Sequence, residues 1–328
     1  MAFAWPFAYT IRMKTNGDGA TQQMMGSASN EHLGKKPYQL VEPDEQTLPV
    51  VLASPHSGIF YPKAFQQSSR LDAIALRRSE DTHVERLFAD GPSLGAPILS
   101  ATFPRAYLDL NREPYELDPE MFSDKLPDFV NTRSPRVAAG LGTIAKLVGN
   151  GAYIYRSKLR FADAQQRIDE IYRPYHRTLA ELITATRDRF GYCILLDCHS
   201  MPSSTGHGSH QNRPHFVLGD CHGLSSRAVV MDCLEGALTQ KGYRVARNTP
   251  YAGGFTTHHY GRPALGLHTV QVEIARNLYM NEISHEPLSR FDVLRADLNQ
   301  AVQALGLIPR SCLLPRLSDE TAHQEAAQ

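Results

Sequence analysis

Apolar positions along the chain follow two recurring patterns. Short runs of strand length, apolar on consecutive positions, alternate with longer stretches whose apolar residues recur every three or four positions. The first run is Pro49-Val-Val-Leu-Ala-Ser54, and Ser79 after it reads as the N-cap of a helix carrying Val84, Leu87 and Phe88. Similar runs predict strands at Ile98 to Thr102, Tyr107 to Leu110, Tyr192 to Cys198, His215 to Leu218, Tyr243 to Ala246 and His268 to Ile274. Ile168, Ile171, Tyr175, Leu179 and Leu182 mark one face of a long helix from Asp163 to Arg187. Pro174 lacks an N–H for the helical ladder and predicts a kink there. Helices from Leu224 to Thr239 and from Pro287 to Ala304 complete the pattern.

This alternation predicts an α/β fold, a single domain with a central mixed β-sheet flanked by helices. No repeat with a period of about 20 to 50 residues divides the body, and no proline-rich linker does so. The polar, aperiodic ends lead to an expected organisation of a loosely ordered N-terminal tail over 1–36, a folded body over 37–312 and a polar C-terminal tail over 313–328. Within the body, Glu113 to Asn150 is rich in Pro, Asp and Gly and is expected to shape a pocket rim.

Composition narrows the partners. With 34 basic and 34 acidic side chains the formal charge is zero, so no bulk field draws the chain to nucleic acid or to an anionic membrane. Apolar runs such as Leu48 to Ala53 fall far short of the roughly 20 residues of a membrane-spanning helix. Cys193, Cys198, Cys221, Cys233 and Cys312 include no CxxC pair, as expected of reduced thiols in a cytoplasmic enzyme. The apolar residues of Met1 to Lys14 precede Arg12 and Lys14, the reverse of a signal peptide's order. No feature sets an oligomeric state.

In open α/β sheets, functional groups collect at the carboxyl ends of the strands. The first strand is followed by His56 in Ser54-Pro55-His56-Ser57-Gly58, the second helix opens with Glu80-Asp81, the strand from Tyr192 is followed by Asp197-Cys198-His199-Ser200, and Glu273 lies within the last strand's Val270-Gln271-Val272-Glu273-Ile274. Two histidines and a carboxylate are a common ligand set for catalytic zinc, leaving a fourth position for water. A glutamate between Val272 and Ile274 is costly to bury without a task, and general base is such a task. A Cys198–His199 nucleophile pair is opposed by strand geometry: neighbours point to opposite faces, whereas Asp197 and His199 share one.

Arg105 and Arg112 bracket the run Tyr107 to Leu110, and two guanidinium groups suit a substrate carrying carboxylates. The structural alternative pairs Arg112 with Asp109 or Glu116. Asn248-Thr249-Pro250-Tyr251-Ala252-Gly253-Gly254-Phe255 is a turn cluster whose adjacent glycines let backbone approach a ligand. The histidines of His207-Gly208-Ser209-His210 and His258-His259 are not assigned to a second metal. Gly140-Leu141-Gly142 follows no strand, and no GxxxxGK[ST] loop exists, so a nucleotide site is not expected.

Taken in order, these pieces resemble the N-formylglutamate amidohydrolase family. The resemblance runs through Pro55-His56-Ser57-Gly58, Glu80-Asp81, Arg105, Asp109-Leu110-Asn111-Arg112, Asp197-Cys198-His199-Ser200, the Asn248 to Gly254 turn and Glu273-Ile274 with Leu278-Tyr279-Met280, over residues 48 to 282. That family is similar to zinc carboxypeptidases and aspartoacylase, which implies a zinc-carboxypeptidase-like fold for the 37–312 domain. The HxxE spacing of the carboxypeptidases is not met, because Ile59 stands three residues after His56. The resemblance instead places the acidic ligand at Glu80 or Asp81, and favours Asp81.

It implies one catalytic Zn2+ held by His56, Asp81 and His199, with another divalent metal as an alternative, and Glu273 as the base. It further implies Arg105, Asn111, Arg112, Tyr251, Gly253 and Gly254 as the contacts of a small acidic N-acyl amino acid. The implied reaction is hydrolysis of N-formyl-L-glutamate to formate and L-glutamate, a late step of histidine breakdown. The alternatives are a related zinc amidohydrolase or carboxypeptidase acting on another N-acyl amino acid or short peptide, and a non-catalytic binder of an acidic metabolite.

Overall fold

The computed structural model describes residues 35–205 and 213–315. Most of both tails, and the His207-Gly208-Ser209-His210 loop, lie outside the described residues. Seven strands, β1 (Tyr38–Val41), β2 (Val50–Ser54), β3 (Ile98–Ala101), β4 (Cys193–Met201), β5 (Phe216–Gly219), β6 (Val245–Arg247) and β7 (Leu267–Ala275), form one sheet in the order β1-β3-β2-β4-β7-β5-β6. The central strands β3, β2, β4 and β7 are parallel. β1 and β5 run antiparallel to β3 and β7, and β6 runs parallel to β5. The predicted α/β class with a mixed sheet is the observed one.

Layers on both sides explain why the central runs are continuously apolar. Val50, Leu52, Ile194, Leu196, Cys198, Val270 and Val272 share one core with residues of the helices Ala228–Gln240 and Phe291–Leu305. Their alternates Val51, Ala53, Cys193 and Leu195 pack with Ile168, Tyr175 and Leu179 of the long helical segment. On the face of these alternates, polar groups take over toward the carboxyl ends. Asp197 and His199 on β4 stand beside Gln271 and Glu273 on β7, in parallel register. At the carboxyl ends of β4 and β7 the period of two therefore sends the polar groups to one face while Cys198 and Val272 stay in the core on the other.

Three local expectations change. Tyr107 to Leu110 is not a strand: the N–H groups of Tyr107 and Leu108 both donate to Pro104 O, closing a turn whose apolar side chains enter the second core. Ser79 caps no helix. It ends a 3-10 turn (Arg77–Ser79), its hydroxyl accepts from Gly149 N–H, and the next helix is the single turn Val84–Leu87 after a left-handed His83. β4 continues through His199 to Met201, so this histidine lies on the strand itself.

At Pro174 the long helix accommodates the missing N–H through a π turn, Ile168–Tyr172, between Phe161–Arg167 and Arg173–Phe190. The 113–150 segment holds only a 3-10 turn (Pro119–Met121) and a short helix (Pro135–Ala138). Leu313 is fully buried, and its carbonyl meets His268 Nε2 at 2.9 Å.

Candidate active site

β2 delivers the chain to His56, whose carbonyl accepts the Asp81 N–H at 3.1 Å, so the two residues are tied by backbone before their side chains meet. Asp81 Oδ2 then lies 3.3 Å from His56 Nδ1 and 3.0 Å from His199 Nδ1. The three side chains are buried and form a group that could hold a metal ion, with ligand atoms within 4.8 Å of one another.

Two further observations fit an ion there. His56 Nδ1 is a buried nitrogen without a hydrogen-bond partner. Both rings also turn their other nitrogen to a carboxylate, His56 Nε2 to Asp109 Oδ1 at 2.7 Å and His199 Nε2 to Asp197 Oδ1 at 2.9 Å. Carboxylates behind imidazoles in this way orient the rings and raise their basicity toward a metal. The 3.0 and 3.3 Å separations match the edge of a tetrahedral shell with bonds of ~2.0–2.1 Å, which is about 3.3 Å.

The surrounding charges are set by burial and by these contacts. Burial works against ionised Asp81, yet the adjacent imidazoles of His199 and His56 outweigh it and hold its carboxyl well below the usual range. Burial likewise opposes ionised Asp109, and Arg105 and Arg112 overcome it. At Glu273 the compensation falls short. Burial pushes it up to about 7, against an opposing pull from His199. Its Oε1 accepts from Gln271 Nε2 at 2.9 Å, along the same face of β7.

Glu80 and Asp81 part company. Glu80 receives both carboxylate contacts from Arg77 Nε at 3.1 Å, with Tyr61 Oη and Thr82 Oγ1 donating at 2.7 and 2.9 Å. Its oxygens are thus engaged outside the histidine cluster. Asp81 Oδ1 accepts from Ser200 Oγ at 3.0 Å and from Arg276 at 3.3 Å, which leaves Oδ2 facing the two histidines. Cys198 faces the opposite core, and burial raises its thiol well above the ordinary range, so no thiolate stands beside His199.

A cavity of about 500 Å³ opens over this cluster. It is lined by His56, His199 and Glu273, and by all six residues expected to contact substrate, Arg105, Asn111, Arg112, Tyr251, Gly253 and Gly254. Their freedom differs. Arg105 gives one nitrogen to Asp109 Oδ2 at 2.7 Å. Arg112 is anchored on the carbonyls of Leu141 and Asn111 at 2.8 and 2.7 Å and stays 3.7 Å from Asp109.

Asn111 is engaged at both ends: Nδ2 lies 3.1 Å from Asp197 Oδ2 and 3.0 Å from His199 Nε2, and Oδ1 accepts from Thr256 N–H. A Cβ on Gly254 would stand 2.5 Å from that Asn111 amide, which explains the glycine there; Gly253 has φ +131. Sequence reasoning did not single out Arg276, Gln271, Arg78 or Arg136, all on the cavity wall. Arg276 alone had a signal, since it follows directly on the end of β7. A larger cavity of about 720 Å³, lined by Tyr172, His176, Phe255 and Tyr260 among others, contains none of the clustered groups.

Residues 48–280 match the model of the N-formylglutamate amidohydrolase family. This chain belongs to that family. Among curated relatives, the N-formylglutamate deformylase of Pseudomonas putida is 30% identical over 79% of this chain and 89% of its own length. The deformylase of Pseudomonas aeruginosa is 31% identical over 79% and 90%. The crystal structure of an N-formylglutamate amidohydrolase from Ralstonia eutropha JMP134 superposes with a TM-score of 0.78 at 36% identity, covering 84% of this chain and 99% of that one. A gene product from Agrobacterium tumefaciens, 20% identical with a TM-score of 0.61 over 83% and 96%, shares the fold. The family's span begins two residues before β2 and closes after β7, so it takes in every clustered group described above.

Proposed function

We propose that this amidohydrolase cleaves the formamide bond of N-formyl-L-glutamate by water, giving formate and L-glutamate, as part of histidine catabolism. The observation that carries the reading is the convergence of Asp81 Oδ2 with Nδ1 of His56 and His199, beside a buried, weakly acidic Glu273. A divalent ion held by those three residues, Zn2+ for this donor set, supplies Lewis-acid assistance to the formyl carbonyl and to the ionisation of water.

The chain's own groups do the rest. Glu273, with an affinity for protons matched to neutral pH, takes a proton from the attacking water and passes it to the departing amine nitrogen. Asp109 and Asp197 hold the two imidazoles in orientation, and Asn111, itself held by the Thr256 N–H, braces Asp197 by donating from its Nδ2. Arg105 receives the carboxylate nearest the scissile bond, and Arg112 stiffens the wall behind it. Tyr251, Gly253 and Gly254 cover the substrate with a loop whose glycines permit close approach.

All five cysteines are free, in keeping with a cytoplasmic enzyme. Among the described residues no helix is long and apolar enough to cross a membrane. Turnover of formyl-, acetyl- and longer acyl-L-glutamates tests the reading. A formyl preference is expected, and a preference for the longer acyl groups would favour the related N-acyl amidohydrolase instead. Tight ligand binding without turnover in zinc-replete protein would favour the non-catalytic binder.

A further inference from the structure

The cavity wall carries more positive charge than its carboxylates balance. Arg105 pairs with Asp109, and Arg112 is spent on two carbonyls. Arg136 and Arg78 are different: among the described residues neither guanidinium makes a hydrogen bond or ion pair, although both line the cavity together with His56, Glu273 and the arginines just named, and of the two only Arg136 is tied to Arg112. Arg136 stands on the short helix Pro135–Ala138, in the irregular 113–150 segment.

Its backbone is tied to Arg112 through Leu141. That residue donates its N–H to Arg136 O at 2.8 Å and accepts Arg112 Nε at 2.8 Å. Arg105 and Arg112 thus stand at Asp109, and Arg136, one backbone link from Arg112, lines the same cavity from an exposed position. Arg112 registers the crowding: its own burial, Arg105 and Arg136 all make its charge less favourable. A cavity wall with this excess of guanidinium over carboxylate groups suits an anionic ligand, and the unpaired Arg136 is free to meet one.

We propose that Arg136 receives the distal carboxylate of the substrate and is thereby the residue that selects a dicarboxylic N-acyl amino acid over a monocarboxylic one. The inference rests on the hydrolase reading for the identity of the ligand, but the anion site itself does not. Arg105, beside Glu273 and the histidines, meets the proximal carboxylate, and the 113–150 segment carries the specificity group as a rim element. An exposed side chain without partners can be replaced with little cost to folding.

The test pairs turnover with equilibrium binding, in the wild type and in Arg136→Gln, Arg136→Lys and Arg78→Gln. Arg78 lines the same cavity and its side chain is also without a partner among the described residues, so it serves as the comparison. Arg136→Gln should raise KM for N-formyl-L-glutamate about 10- to 100-fold and leave N-formyl-L-glutamine unchanged, because one charge-assisted contact is lost. Arg136→Lys should recover part of that loss.

Calorimetric titration with glutarate and butyrate should show a dicarboxylate preference in the wild type that Arg136→Gln abolishes. Equal losses on both formyl substrates, no loss on either, or the loss appearing in Arg78→Gln instead would overturn the assignment. If the glutarate preference depends on Arg136 while no formamide is hydrolysed, the anion site stands and the hydrolase reading falls. Hydrolysis of N-formyl-L-glutamate that is indifferent to Arg136→Gln overturns the anion site and leaves the hydrolase reading intact.

Discussion

Replacing Glu273 by Gln should move activity and stability in opposite directions. In the folded protein this carboxyl is shifted from its ordinary 4.5 to about 7, chiefly by burial. A shift of that size disfavours the charged form by about 3 kcal/mol, at roughly 1.36 kcal/mol per pKa unit. Because the folded value lies above the unfolded one, the native state holds the proton more tightly. The penalty is therefore absent below the unfolded value, grows as pH rises, and is complete above pH ~7.

Glutamine keeps the shape and the contact with Gln271 without the charge. Metal-free Glu273→Gln should match the wild type near pH 4 and exceed it at pH 8 by on the order of 1–3 kcal/mol. Urea denaturation of chelated protein at the two pH values reads this directly. The same variant should lose about 10²- to 10⁴-fold in kcat, the usual worth of a positioned base. A bound cation favours ionised Glu273, so the acid limb of kcat/KM in the loaded enzyme should fall at or below pH ~7. A variant that is less stable at pH 8 and still turns over normally would refute the reasoning on both counts.

Three other perturbations follow from the contacts. Asp109→Asn removes the charge behind His56 and should weaken metal affinity about 10- to 100-fold, read by competition with a chromogenic chelator. Asp81→Asn should lose far more in that assay, whereas Glu80→Gln should retain near wild-type affinity and show its cost as a lower Tm, since Glu80 is held by Arg77, Tyr61 and Thr82. Gly254→Ala puts a methyl 2.5 Å from the Asn111 amide and should lower kcat/KM at least about tenfold by displacing the group that braces Asp197 behind His199, with metal content retained.

Much of this architecture was legible in the chain because the sheet is covered on both faces. β2, β3, β4, β5 and β7 announce themselves as apolar runs, and His56, His199 and Glu273 are conspicuous as polar residues placed where such runs end. The same signal misled at Tyr107 to Leu110, where apolar side chains enter the core from a turn closed on Pro104 O. Apolar run length reports burial, and only backbone pairing makes a strand. β1 went unrecognised because an edge strand with alternating exposure over four residues has too little pattern to read.

In the site, the choice between Glu80 and Asp81 depended on which carboxylate other residues had already engaged. Spacing carries no such information, because Arg77, Tyr61 and Thr82 compete for Glu80 only once the turn is folded. Arg136 was hidden for a related reason. It sits in a segment without periodicity, and its significance comes from its link to Arg112 through Leu141 and from having, among the described residues, no partner of its own.

Metal-dependent hydrolysis is tested most directly by formate release from N-formyl-L-glutamate by purified protein, measured as isolated, after exhaustive chelation, and after return of stoichiometric zinc. The expected result is loss of formate production on chelation and its recovery with zinc, in the wild type and not in Asp81→Asn. Formate released at an undiminished rate by fully chelated protein would contradict a metal held by His56, Asp81 and His199 as the centre of the chemistry.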